Sequence, residues 1–78
     1  MLRFYKQGQR LFNLALIVKA TPHDAEGLDY THLVFVGGLE VAIDPPYDQF
    51  LEFMRLVATL PEGVYHYNRE SNMICQLT

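Results

Sequence analysis

One proline-bracketed segment, Pro46–Leu60, constrains the fold of this chain more than any other part of the sequence. Proline suits the first turn of a helix, and Pro45 is held out of the α region because another proline follows it. Pro61 and Gly63 are typical of residues that lie just beyond the C-terminus of a helix. We therefore predict one α-helix here, with Asp48 in its first turn, where the helix dipole favours a carboxylate.

This predicted helix has more apolar surface than one packing face requires. Its apolar stripe consists of Tyr47, Phe50, Leu51, Met54, Val57 and Ala58. Its polar stripe consists of Asp48, Glu52, Arg55 and Thr59. Phe53, Leu56 and Leu60 belong to neither stripe, and they widen the apolar arc well past the ~100° that one contact needs. We expect these three side chains to form the interface of a homo-oligomer, with two copies favoured.

The sequence before the helix predicts a strand-rich region. Leu2–Lys6 and Arg10–Ala20 read as strands on either side of a turn at Gln7-Gly8, and one alternate face of the second strand is wholly apolar. The polar segment Thr21–Asp29 contains a proline and a glycine, so we predict a loop there.

The clearest hairpin signal lies around Gly37-Gly38, between two apolar segments, Tyr30–Val36 and Leu39–Asp44. A two-residue glycine turn pairs Val34 with Val41 on one face. It places Leu33 and Phe35 on the opposite face.

The tail contains two short apolar segments, Val64–Tyr67 and Met73–Leu77, separated by turn-forming residues. They predict either a hairpin within the chain or a strand that pairs with another chain. The expected fold is therefore α+β: a four-stranded, mainly antiparallel sheet of two consecutive hairpins, packed by one helix, with a short C-terminal strand or hairpin.

Chain length and composition favour a partner chain. The 78 residues predict one small domain over residues 1–78, and so short a chain buries only about 60–65% of the surface that its unfolded form exposes. Half of the residues are apolar, which excludes intrinsic disorder. The single cysteine, Cys75, excludes an internal disulfide and favours a reducing, cytoplasmic setting.

No targeting or membrane segment is expected. The longest uncharged apolar stretch, Leu11–Val18, is shorter than the about 20 residues that cross a bilayer. The N-terminal residues mix charged and aromatic side chains, unlike a signal peptide.

Catalytic and metal sites have little support in the sequence. The spacing of the histidines and carboxylates at His23, Asp24, Glu26, Asp29 and His32 fits no structural zinc pattern. Cys75 has no cysteine or histidine near it in sequence, and Gly37-Gly38 joins two strands, not a strand and a helix as in a phosphate loop. We expect a non-catalytic protein with no cofactor and no metal.

A nucleic-acid-binding module is the second hypothesis. Arg3, Tyr5, Lys6 and Arg10 place basic and aromatic side chains on the first hairpin, where they can meet phosphates and stack on bases. The net charge of −3 opposes such binding. A charged edge strand that discourages aggregation explains the same residues. The leading expectation is therefore a small homo-oligomeric protein-interaction module, with nucleic acid a less favoured partner.

Overall fold

The computed structural model describes residues 2–77 and has an α+β architecture with one α-helix. Met1 and Thr78 lie outside the described residues. The elements in chain order are β1 (Arg3–Gln7), β2 (Arg10–Asn13), β3 (Ile17–Ala25), β4 (Leu28–Phe35), β5 (Glu40–Ile43), α1 (Tyr47–Leu56), β6 (Gly63–Asn68) and β7 (Met73–Gln76). Two short 3₁₀ turns, Leu14–Leu16 and Val57–Thr59, follow β2 and α1.

The strands form two sheets, so the predicted single sheet of two consecutive hairpins is wrong in its composition. A four-stranded sheet has the order β2-β1-β6-β7, and it is mixed because β1 and β6 run parallel. A three-stranded antiparallel sheet has the order β3-β4-β5. The N-terminal hairpin therefore pairs with the C-terminal hairpin, and the glycine hairpin belongs to the other sheet.

A 3₁₀ turn breaks the predicted strand Arg10–Ala20 and lets the chain pass from one sheet to the other. The side chain of Asn13 begins this turn, because its Oδ1 accepts a hydrogen bond from the amide of Ala15 at 2.9 Å. Such a bond offers the backbone a local partner in place of the strand ladder.

The predicted loop Thr21–Asp29 is also wrong, since β3 continues through most of it. The strand reverses at Glu26 and Gly27, which both have positive φ, 55° and 78°. Pro22 misled the prediction. It lies in β3 at the edge of its sheet, a place where a missing amide donor is tolerated.

The glycine hairpin is present, but its predicted register is wrong by one residue. The amide of Phe35 donates to the carbonyl of Leu39 at 2.8 Å, and Gly37 and Gly38 have φ values of 93° and 94°. Leu33, not Val34, therefore lies opposite Val41. A shift of one residue exchanges the two faces of a strand, which is why Leu33 and Phe35 point into the core.

The core lies where α1 meets the inner faces of both sheets. Its buried side chains are Tyr5, Phe12, Leu14, Leu33, Phe35, Val41, Ile43, Phe50, Phe53 and Tyr65. Thr31 is the buried polar residue among residues 2–77, and its hydroxyl donates to the carbonyl of Pro45 at 2.8 Å. Among the described residues, every buried side-chain nitrogen and oxygen has a hydrogen-bond partner.

The predicted helix over Pro46–Leu60 is confirmed as an α-helix that tightens into a 3₁₀ turn over its last residues. Pro46 was predicted in the first helical turn, but it occupies the N-cap with an extended backbone, and the helix begins at Tyr47. Within residues 2–77, no helix is long and apolar enough to cross a membrane.

Candidate interaction surface

An apolar groove of about 400 Å³ lies between α1 and β7, and we call it the α1–β7 groove. Its apolar lining consists of Phe53, Leu56, Leu60, Met73 and Ile74. Helix α1 supplies Phe53 and Leu56, Leu60 directly follows the 3₁₀ turn, and β7 supplies the last two side chains. The structure thus places all three side chains that the sequence assigns to an interface along one concavity.

The three residues contribute to the groove in different ways. Phe53 is only 8% exposed, and its ring lies 5.4 Å from the ring of Tyr65 and 6.1 Å from that of Phe50. Phe53 is therefore a core residue that also contributes to the groove wall. The helical count had wrongly placed it among the apolar side chains in excess. Leu56 is 40% exposed and Leu60 is half-buried against the core. Their role in an oligomer stays a prediction.

Charge on the helical rim of the groove is balanced. Glu52 lines the groove, and the guanidinium of Arg55 lies 2.5 Å from its carboxylate. This hydrogen bond lowers the pKa of the Glu52 carboxyl. The other polar lining residues, Gln49 and Asn72, carry no charge. A second apolar surface can therefore approach the groove without meeting an unmatched charge.

The residues proposed for nucleic-acid contact do not form one open surface. Tyr5 is fully buried, and its burial, followed by the nearby Asp44 carboxylate, raises the pKa of its phenol well above the usual value. The guanidinium of Arg3 donates to the carbonyl of Leu60 through Nε at 2.9 Å and Nη2 at 2.6 Å. The ring that was to stack on a base therefore belongs to the core.

The other two basic residues of that set make local contacts. Lys6 Nζ donates to the carbonyl of Gly8 at 2.7 Å. The guanidinium carbon of Arg10 lies 4.9 Å from the ring centroid of Phe12, a cation–π geometry. Both side chains are engaged within their own hairpin.

A thiol–imidazole contact on the C-terminal hairpin was missed in the sequence. Cys75 lies opposite His66 across β6 and β7, and its Sγ is 3.6 Å from His66 Nε2. The ion pairs of residues 2–77 do not include His66, so no carboxylate is seen to orient this histidine as the third group of a nucleophilic triad would. The turn-forming residues Asn68–Asn72 are the sequence signal that could have revealed this contact, because a hairpin about that turn brings His66 opposite Cys75.

A second cleft, of about 490 Å³, lies between the tip of the β3–β4 hairpin and the start of α1. Asp24, Asp29 and Asp48 line it together with His23. In the described part of the chain, no three histidine, cysteine or carboxylate groups are arranged to hold a metal ion. The apolar part of this lining is smaller than that of the α1–β7 groove, so the cleft offers a partner less apolar contact.

The two histidines of the candidate metal set lie near each other on the outer face of the β3-β4-β5 sheet. The rings of His23 and His32 are 6.4 Å apart, and His32 Nε2 lies 3.2 Å from a carboxylate oxygen of Glu40.

Comparisons with protein families, curated proteins and solved structures found no match to this chain. The functional argument therefore proceeds from the geometry alone.

Proposed function

We propose that the protein is a non-catalytic protein-interaction module that forms a homodimer through the α1–β7 groove. The observation that carries this proposal is an apolar concavity that combines exposed Leu56 and Met73 with a wall of core side chains, at the open edge of a sheet. Exposed apolar surface of this kind is typical of interaction sites, because contact with a partner removes it from water.

The size of the chain supports a partner of the same kind. A standard interface buries about 800 Å² on each partner, which is about one sixth of the 5144 Å² that this chain exposes. Only a minority of interface side chains supply most of the binding energy, and they are packed into pockets near the centre of the contact. Leu56 and Met73 are suited to that central position, since each keeps at least 40% of its surface exposed in the single chain.

We place this dimer in a reducing, cytoplasmic setting. The support is the single cysteine, which is a free thiol and has no second cysteine in the chain. Proteins of oxidising compartments generally use cysteines in disulfides, and small ones often depend on them.

The test compares two leucine-to-glutamate changes on the same helix by light scattering. Leu56→Glu places a charge in the groove, and Leu51→Glu places the same charge at an equally exposed position (44% against 40%) outside the groove. We expect the wild type and Leu51→Glu to have twice the mass of one chain, and Leu56→Glu to have the mass of one chain.

Circular dichroism of each variant separates loss of association from loss of folding. A wild type that is monomeric at about 100 µM, a concentration at which even a weak dimer with a Kd near 10 µM is mostly formed, contradicts the proposal. Equal dissociation of both folded variants also contradicts it, because the groove then has no special role.

A further inference from the structure

The two sheets have four edge strands, and three of them are protected against pairing with another chain. The sequence of β2 begins with Arg10, β5 begins with Glu40, and β3 contains Pro22 as well as Lys19 beside a register shift. Charges, prolines and bulges are the means by which edge strands avoid further pairing. The fourth edge, β7, has the sequence Met-Ile-Cys-Gln and contains none of them.

The hydrogen-bond pattern shows which groups of β7 face the open edge. The amide of Leu77 donates to the carbonyl of Val64 at 2.7 Å, so this pair is a hydrogen-bonded one. Antiparallel ladders alternate between hydrogen-bonded and non-hydrogen-bonded pairs. The backbone amide and carbonyl of Cys75 therefore face His66 of β6. The backbone amides and carbonyls of Ile74 and Gln76 point away from β6, toward the open edge.

We propose that two copies of the chain pair antiparallel through β7, on a two-fold axis that passes beside Cys75. This inference rests on the proposed homodimer and names its contact. Ile74 of each copy then pairs with the partner's Gln76, and Cys75 lies opposite the partner's Cys75. The four-stranded sheets of the two copies become one continuous sheet.

The register follows from the outward-facing groups. An axis at Cys75 pairs every outward amide and carbonyl of β7 with a partner that is also within β7. An axis at Ile74 pairs Gln76 with Asn72, which has a φ of 57° and is in the turn, not in an extended strand. An axis at Gln76 pairs Ile74 with a residue beyond the end of β7. The central register is therefore the one that completes the ladder.

Side chains along β7 are compatible with this pairing. Alternation puts Met73, Cys75 and Leu77 on one face of the strand, and the pairing sets Met73 opposite the partner's Leu77. Both are exposed in the single chain, 60% and 44%, and both are apolar. No charged residue lies on β7, so two chains of net charge −3 meet there without like charges in contact.

The α1–β7 groove lies beside the same edge. Ile74 contributes both to the groove lining and to the outward-facing ladder. Pairing through β7 therefore brings the grooves of the two copies to the two-fold axis. The exposed leucine of each groove, Leu56, is then close to the other copy, and one contact accounts for both features.

The pairing has a chemical signature at Cys75. Residues of a non-hydrogen-bonded antiparallel pair have Cα atoms about 4.5 Å apart, within the about 4.4–6.8 Å that a disulfide spans. His66 Nε2, at 3.6 Å from Sγ, is placed to accept the thiol proton. With oxidised glutathione as oxidant, one Cys75 thiolate displaces one glutathione thiol, and the partner's Cys75 then displaces the second as the intermolecular disulfide forms.

The experiment uses oxidised glutathione and cysteines moved along β7, with the disulfide-linked dimer measured on non-reducing gels. Met73→Cys and Leu77→Cys are each made in a Cys75→Ser background. In the proposed register, residue 73 lies opposite the partner's residue 77, whereas two copies of residue 73 are about 13 Å apart along the strands. We expect the wild type and the mixture of the two variants to cross-link at least ~10-fold faster than either variant alone, because a shared interface gives thiols a millimolar effective concentration.

A second pair of variants tests the ladder without cross-linking. Gln76→Pro removes one outward amide, and Gln76→Ala keeps that amide but removes the side-chain bond to the carbonyl of Glu62. We expect Gln76→Pro to be a folded monomer and Gln76→Ala to remain a dimer. A wild-type dimer whose mixed and single cysteine variants cross-link at equal rates overturns the β7 pairing but leaves the proposed homodimer standing. A monomeric wild type overturns both.

Discussion

Truncation of Phe53 separates a core role from an interface role for this side chain. Phe53→Ala removes a side chain that is only 8% exposed, and it ends the ring contacts with Tyr65 and Phe50, whose centroids lie 5.4 Å and 6.1 Å away. Such changes cost about 3–5 kcal/mol of unfolding free energy. Domains of this size have a total of only about 4–12 kcal/mol. We therefore expect the variant to lose a large part of its stability.

The assay is urea unfolding followed by circular dichroism at two protein concentrations, with Leu51→Ala as the exposed control on the same helix. We expect a loss of about 3–5 kcal/mol for Phe53→Ala at both concentrations, and less than about 1 kcal/mol for the control. A loss below about 1 kcal/mol for Phe53→Ala, accompanied by dissociation of a folded protein, refutes the assignment of Phe53 to the core of the single chain.

Two further predictions concern residues that the sequence assigned to nucleic-acid binding. Arg3→Met removes two charged hydrogen bonds to the carbonyl of Leu60, so we expect a loss of about 1–2 kcal/mol, seen in thermal unfolding as a fall of about 4–16 °C. An unchanged melting temperature contradicts this structural role. Burial holds the pKa of Tyr5 above its usual value of 10.0, so above that pH the unfolded chain binds fewer protons than the folded one and stability falls with rising pH. Tyr5→Phe is expected to reduce this fall in urea titrations between about pH 9 and pH 11, and an unaltered slope argues against a protonated, buried Tyr5.

The helix was predictable because its start and end are determined by local chemistry. Proline restricts the backbone wherever it occurs: the helix begins directly after Pro46, one residue later than predicted, and its last turn ends before Pro61. The burial of Phe53 in the core was not predictable in the same way. How much of a helix is buried depends on what packs against it, and Tyr65 arrives from a strand that the helical count cannot include.

The strand errors have a different physical origin. The turn at Glu26 uses a positive φ at a residue that rarely adopts one, and the break at Asn13 depends on a side-chain hydrogen bond. Neither is visible as a composition shift. In the glycine hairpin, the signal located the turn but not its length, and one residue of difference exchanged the inner and outer faces.

The candidate site was only partly predictable for a related reason. Leu56 and Leu60 belong to one predicted helical segment and were identified by helical spacing alone. Met73 and Ile74 join them only because the C-terminal hairpin pairs within the chain and lies beside β1 in parallel. That pairing joins residues as far apart as Lys6 and His66, and a single sequence contains no local signal for it.

Sedimentation equilibrium of the wild-type protein tests the central claim most directly. The protein concentration runs from about 1 µM to about 100 µM. A dimer with a binding free energy near 8 kcal/mol is partly dissociated at the lower concentration and mostly formed at the higher one. We predict that the mass approaches twice 9.0 kDa as the concentration rises, with one dissociation constant fitting every speed and loading. A mass of 9.0 kDa throughout the series contradicts the account, because the α1–β7 groove and the β7 edge then do not bring two copies together.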